Sequence, residues 1–298
     1  MIQRSGRPAI STPVGLQQIL DLEQIEVHVF RGRVRPTTST RTFGGEVAGQ
    51  ALIAAGRTAP ADRRVHSLHA YFLRPGNPAA PILYQVDPIR DGRSFTTRRT
   101  VAVQHGQAIF VLSASFQRPE PGYSHQVPRL DAPAPEDLPP PESTFAAGDA
   151  ATRERYADLR ARLPVEVRFT EEPPRMVAAR GEPAPPRQRV WLRSTERLPD
   201  DPLLHVCAAT YASDLFLLGS ALPPHGVTIG SPGLQTASLD HAVWFHAPFR
   251  ADDWLYYDTE GIWAGNARAL CRGYLFDRAG TLVATVMQEG LIRRRAPG

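Results

Sequence analysis

The sequence predicts an α+β fold made of two tandem copies of one unit, each a helix followed by several antiparallel strands. Three observations carry this expectation. Short segments recur in the same order in the two halves: 43–50, 65–69, 98–103 and 106–116 in the first, then 211–218, 237–241, 268–273 and 280–290 in the second. Acids and hydroxyls recur with them, since 21 positions separate Glu46 from Ser67 and 24 separate Asp214 from Ser238. Between the halves, Pro119, Pro121, Pro128, Pro133, Pro135 and Pro139 to Pro141 crowd a stretch with little apolar periodicity, which reads as an extended connector. Self-similarity on this scale marks a supersecondary unit that buries its apolar face against its own copy, and a cleft between copies is a common place for a site.

The elements follow in order. Leu16, Ile19 and Leu20 fall at helical spacing and Ile25, Val27 and Val29 alternate with polar residues, so 14–30 reads as a short helix entering a strand. Gly44 and Gly45 precede the small and apolar run 47–55, a buried helix whose leading glycines let another backbone approach its start. Residues 65–72 and 82–86 read as strands separated by the breaker 74–78. A hairpin of 95–103 and 108–116 turns at His105-Gly106. In the second half 153–160 is a charged surface helix, 165–169 and 188–192 are strands, and 201–220 holds a long apolar helix. Strands 238–245 and 254–260 come next, then a hairpin of 268–276 and 282–292 turning at 277–280. The units are therefore expected over 14–118 and 145–298, joined by a linker over 119–144.

A chain of 298 residues with 42% hydrophobic and 21% charged content is a soluble globular protein with a sizeable core. All 34 basic residues are arginine. The net charge of +4 suits a polyanionic small molecule better than nucleic acid, whose binding faces are more concentrated. Cys207 and Cys271 are far apart and lack a nearby ligand set, so they are expected to be buried fillers rather than a disulfide or a metal site. No leader or membrane span is read in the sequence, and the expected compartment is the cytoplasm.

The segments 43–50, 66–76, 90–95, 115–117, 213–214, 222–226, 238–241, 244–246 and 288–290 resemble the type II acyl-CoA thioesterases, a family of two tandem hotdog units. The resemblance implies a double hotdog, with a central helix wrapped by an antiparallel sheet in each unit. It also implies hydrolysis of fatty acyl-CoA to the free acid and coenzyme A, with no cofactor or metal, in a homo-oligomer, dimer or tetramer. The family's catalytic set is an aspartate at the start of the second unit's helix, a hydroxyl in the following strand and a glutamine in the last strand. Carried over, these are Asp214, Ser238 and Gln288. The family frequently has threonine where Ser238 stands and has glutamine where this chain has Glu46. By the internal repeat Glu46 is the counterpart of Asp214, while Ala114 stands opposite Gln288, so the first unit reads as a degenerate copy that shapes the cleft.

A thioester carbonyl needs only an oriented water, a proton acceptor and a donor for the developing oxyanion. Asp214 can accept the proton, Ser238 and Gln288 can hold the water, and the N–H groups at the start of the Asp214 helix are the expected oxyanion donors. Taken alone, Ser213-Asp214 would merely cap a helix, and Ser238 and Gln288 would be ordinary strand residues; the resemblance is what favours catalysis. Ser238 is not in a GxSxG elbow, so no acyl-enzyme is expected. Asp240 and His241 point to opposite faces of a strand, which makes His241 structural rather than part of a triad. Substrate-binding candidates are Glu46, Gly45, Ser67, Arg93 and Arg99, and the basic stretch of Arg90, Arg93, Arg98 and Arg99 is a possible partner of coenzyme A phosphates. Two other classes compete: a non-catalytic acyl-CoA binding or sensing protein, which would have no need of the polar trio, and a hotdog-fold hydratase, which would need an Asp and His in a short loop motif not found here.

Overall fold

The computed structural model describes residues 14–34 and 40–295. The first half runs α1 (Leu16–Leu20), β1 (Glu23–Glu26), β2 (Val29–Gly32), α2 (Gly44–Arg57), β3 (Arg64–Phe72), β4 (Ile82–Asp91), β5 (Phe95–Gln104) and β6 (Gln107–Gln117). The middle segment adds α3 (Pro141–Ala146) and α4 (Ala150–Arg162). The second half has β7 (Val165–Phe169), α5 (Pro174–Ala179), β8 (Arg187–Ser194), α6 (Pro202–Ser213), β9 (Leu234–Ser238), β10 (Asp240–Phe245), β11 (Leu255–Gly265), β12 (Arg268–Phe276) and β13 (Leu282–Arg294).

These strands form one antiparallel sheet ordered β1-β2-β4-β5-β6-β3-β10-β13-β12-β11-β8-β7, with β9 on β13. Each strand of the first half has its counterpart at the mirrored place in the second, so the order reads alike from either end. The halves join where β3 and β10 pair, Ala242 opposite His69. Inside the curve of the sheet lie α2 and α6, antiparallel and in close contact. Gly49 leaves room for the Cys207 carbonyl, and Gly45 for that of Tyr211, which a Cβ at either place would crowd. Small residues at these places let two apolar helices pack backbone to backbone, and both are almost wholly buried.

Tertiary contacts overrode the periodicity at one decisive point. The expected helix 201–220 stops at Ser213, although the apolar pattern continues into a 3₁₀ turn at Leu218–Ala221. The Ser213 hydroxyl donates to the Thr210 carbonyl at 3.0 Å, the Leu215 N–H donates to Ala212, and the Tyr257 hydroxyl donates to the Ser213 carbonyl at 2.8 Å. Together these satisfy carbonyls that a further helical turn would have used. The run 202–225, where the sequence gives no expectation of a span, is long and apolar enough to cross a membrane by composition; 67% of its most apolar window is buried inside the fold, as in a core helix. The expected strand 238–245 is broken at Leu239, whose N–H bonds Glu289 and whose carbonyl accepts from Phe72.

The proline-rich connector lies across the outer face of the second half. Trp191 donates its indole N–H to the Pro133 carbonyl at 2.9 Å, Gln126 donates to the Gly280 carbonyl at 2.8 Å, and Arg129 stacks over Trp191. Cys207 and Cys271 are both buried and unpaired.

Candidate active site

The C-terminal end of α6 brings Asp214 against the start of α2. Asp214 is the C-cap residue of α6, the Gly45 N–H donates to its carboxylate, and a Cβ on Gly44 would stand 2.7 Å from Oδ2. Only glycine at both places lets a carboxylate and a helix start approach this closely. The amides of a helix's first turn lack intrahelical partners and carry the positive end of its dipole, so the start of α2 favours a negative charge here.

Two strands supply the remaining contacts. Gln288 of β13, wholly buried, donates from Nε2 to Asp214 Oδ1 at 2.6 Å and to Ser238 Oγ at 2.8 Å. Ser238, the last residue of β9, donates its hydroxyl to Asp214 Oδ1 at 3.3 Å. Both amide hydrogens of Gln288 are thus engaged, and its Oε1 has no partner among the described residues. Burial pushes the Asp214 carboxyl up to about 6, against the opposing pull of Gln288, Gly45 and Ser238. A partly buried carboxylate with its pKa near neutrality, held by three donors, is suited to accept a proton. Among the described residues, no group of three or more His, Cys, Asp or Glu could hold a metal ion.

The sequence profile described as acyl-CoA thioesterase matches residues 159–291, and that of the acyl-CoA thioesterase N-terminal domain matches residues 33–117. Acyl-coenzyme A thioesterase 8 of Mus musculus is 41% identical over 92% of this chain and 88% of its own length. Acyl-CoA thioesterase 2 of Haemophilus influenzae is 37% identical over 93% and 96%. The crystal structure of an acyl-CoA thioesterase II from Mycobacterium marinum superposes with a TM-score of 0.77 at 46% identity, covering 94% of this chain and 99% of that one. The chain belongs to the type II acyl-CoA thioesterases. It is a thioester hydrolase with a double hotdog fold.

The thioesterase's own geometry corrects three expectations. Asp214 ends its helix instead of starting it. The first turn of α6 lies roughly 18 Å away, at about 1.5 Å per residue, and one of its amides is already capped by Asp201 at 2.9 Å. The amides aimed at the trio are therefore those of α2. Glu46 is not the counterpart of Asp214 either: it sits in the first turn of α2, whereas the residue one past the end of α2 is Thr58. At that mirrored place Arg98, 3% exposed, donates from Nε to the Thr58 hydroxyl at 3.1 Å and from Nη2 to its carbonyl at 3.0 Å, and pairs with Asp91. Ala114 is buried on β6, the counterpart of β13. The first half of the thioesterase thus holds a neutral residue under a guanidinium where the second holds its carboxylate.

Other candidates lie away from the trio. Ser67 is buried five residues along β3 from Phe72, which touches the site, so it stands roughly 16 Å off at about 3.3 Å per residue. Arg99 faces outward from β5 and pairs with Asp87 at 3.0 Å. Arg93 is exposed in the turn between β4 and β5, where its carbonyl accepts from Arg63. The motif residue Gln50 ties the core together, donating to the Ile19 carbonyl and accepting from Tyr84.

Proposed function

We propose that this thioesterase hydrolyses fatty acyl-CoA with a water activated by Asp214 and oriented with the help of Ser238 and Gln288. The observation that carries this reading is the Gln288 amide bridging Asp214 Oδ1 and Ser238 Oγ. With its amide hydrogens so engaged, Gln288 fixes the other two, and the water sits between the Asp214 carboxylate and the Ser238 hydroxyl. The water oxygen attacks the thioester carbonyl carbon while Asp214 takes a proton from it. First-turn amides of α2 stabilise the oxyanion. The C–S bond then breaks, and the coenzyme A sulfur leaves with the proton held by Asp214, restoring the carboxylate. The substrate is acyl-CoA, and the chains associate as a homo-oligomer.

The test is a panel of acyl-CoA chain lengths with free thiol as readout, run on the wild type and Asp214→Asn, with light scattering for the assembly state. Wild-type release of thiol that disappears in Asp214→Asn supports the reading. Equal rates in the two proteins overturn the role of Asp214.

A further inference from the structure

Asp214 is attached to the end of a helix, and helix ends fray unless their carbonyls are tied down. Here the residue before it, Ser213, is held on three sides and is 1% exposed. Its carbonyl accepts from the Tyr257 hydroxyl of β11 at 2.8 Å, its hydroxyl reaches the Thr210 carbonyl at 3.0 Å, and His241 Nε2 of β10 lies 2.9 Å from the same hydroxyl. A serine hydroxyl has one hydrogen. Since it is directed at Thr210, the hydrogen between Ser213 and His241 comes from His241, which fixes the neutral ring as the Nε2–H tautomer. Burial holds His241 down to about 4, so it stays neutral in ordinary buffers, and its Nδ1 has no partner among the described residues. The Tyr257 ring is itself seated against Gly273 of β12, where a Cβ would collide with it. None of these groups belongs to the trio.

We propose that Tyr257, Ser213 and His241 are positioning residues, a buried brace that sets the place of the Asp214 carboxylate between Gly45, Ser238 and Gln288. The brace ties the end of α6 to β10 and β11, the strands on either side of the β12–β13 pair that carries Gln288. Two partners of Asp214, Gly45 and Gln288, are fixed on other elements, so a small shift of the Ser213 backbone moves the carboxylate out of register with both.

This inference rests on Asp214 acting as the base, and the experiment separates the two. Steady-state kinetics and thermal melts are measured for Asp214→Asn, Tyr257→Phe, His241→Leu and His241→Gln, the last placing an amide N–H near the position of Nε2. Tyr257→Phe and His241→Leu are expected to lower kcat by about 10-fold to 10²-fold, the scale on which misplacement of a reacting group acts. KM should change by less than about threefold. His241→Gln should recover most of the His241→Leu loss. Wild-type turnover in Asp214→Asn would overturn the catalytic reading, and the brace with it. An inactive Asp214→Asn beside wild-type kcat in Tyr257→Phe and His241→Leu would overturn the brace alone. So would a His241→Gln as slow as His241→Leu, with melts lowered equally, since that is the signature of a purely structural histidine.

Discussion

Arg98 grips Thr58 by both hydroxyl and carbonyl, and Thr58 occupies in the first half the place that Asp214 occupies in the second. One half of the pseudo-symmetric fold keeps a carboxylate there, and the other closes the space with a buried cation. Removing Arg98 should therefore affect the fold and leave chemistry alone. Arg98→Ala strips the Thr58 carbonyl of its charged donor and is expected to cost about 1–3 kcal/mol of stability, read from denaturant melts. Turnover at a temperature where the variant is folded should match the wild type; a large loss of kcat would mean that the first half takes part in the reaction.

The base must be ionised to work, so kcat/KM should rise with pH through about 6, the value to which burial brings Asp214. A pH–rate profile on a short, soluble acyl-CoA measures this limb. Gln288→Glu places a second carboxyl where an amide hydrogen now meets Asp214 Oδ1, and like charges that close disfavour ionisation of both. In that variant the limb should move to higher pH and the maximum rate should fall. An unmoved limb would remove Asp214 as its source.

The same shift has a stability consequence of opposite sense. A carboxyl whose folded pKa is raised favours the folded state below its unfolded pKa of 3.8, and that advantage is lost as pH rises through about 6. Ionised Asp214 is thus a strain on the fold at pH 8, of at most about 3 kcal/mol. Asp214→Asn should melt higher than wild type at pH 8 while being inactive, with the difference shrinking below about pH 4. An Asn variant that melts lower at pH 8 contradicts this account.

The two glycines at the start of α2 should fail differently. A Cβ at Gly44 meets Asp214 Oδ2 at 2.7 Å and the Phe72 ring at 2.9 Å, groups that can move slightly. A Cβ at Gly45 meets the Tyr211 backbone carbonyl, which cannot move without parting the helices. Gly44→Ala is expected to lower kcat with a modest change in melting, and Gly45→Ala to lower the melting temperature strongly. Circular dichroism melts alongside thiol-release rates distinguish them.

Glu46 stands one residue beyond Gly45, in the first turn of α2, and is not the mirror of Asp214. Glu46→Gln keeps nearly the same shape and should change turnover by less than about tenfold, roughly 1.4 kcal/mol in the barrier. Asp214→Asn should cost about 10² to 10⁴. Comparable losses in both would bring Glu46 into the catalytic set.

By itself the sequence determined what local pattern and residue chemistry can encode. The order of helix and strands, the hairpins at His105-Gly106 and 277–280 and the close approach at Gly44-Gly45 were legible because each depends on neighbours within a few positions, whereas residues 214, 238 and 288 stood out only through the family resemblance, since locally they read as a helix cap and two strand residues. Only the tertiary structure decided where α6 ends, since Tyr257 and His241 come from strands far along the chain to hold Ser213. That decision moved Asp214 from the start of its own helix to the start of another, and it replaced Glu46 by Thr58 as the mirrored position. Apolar periodicity runs unbroken through 202–222 because the 3₁₀ turn is as buried as the helix before it, so no local signal marks the break. What brings Asp214, Ser238, Gln288 and Gly45 together is the antiparallel packing of two glycine- and alanine-rich helices inside a shared sheet, a relation between halves that spacing along one chain does not contain.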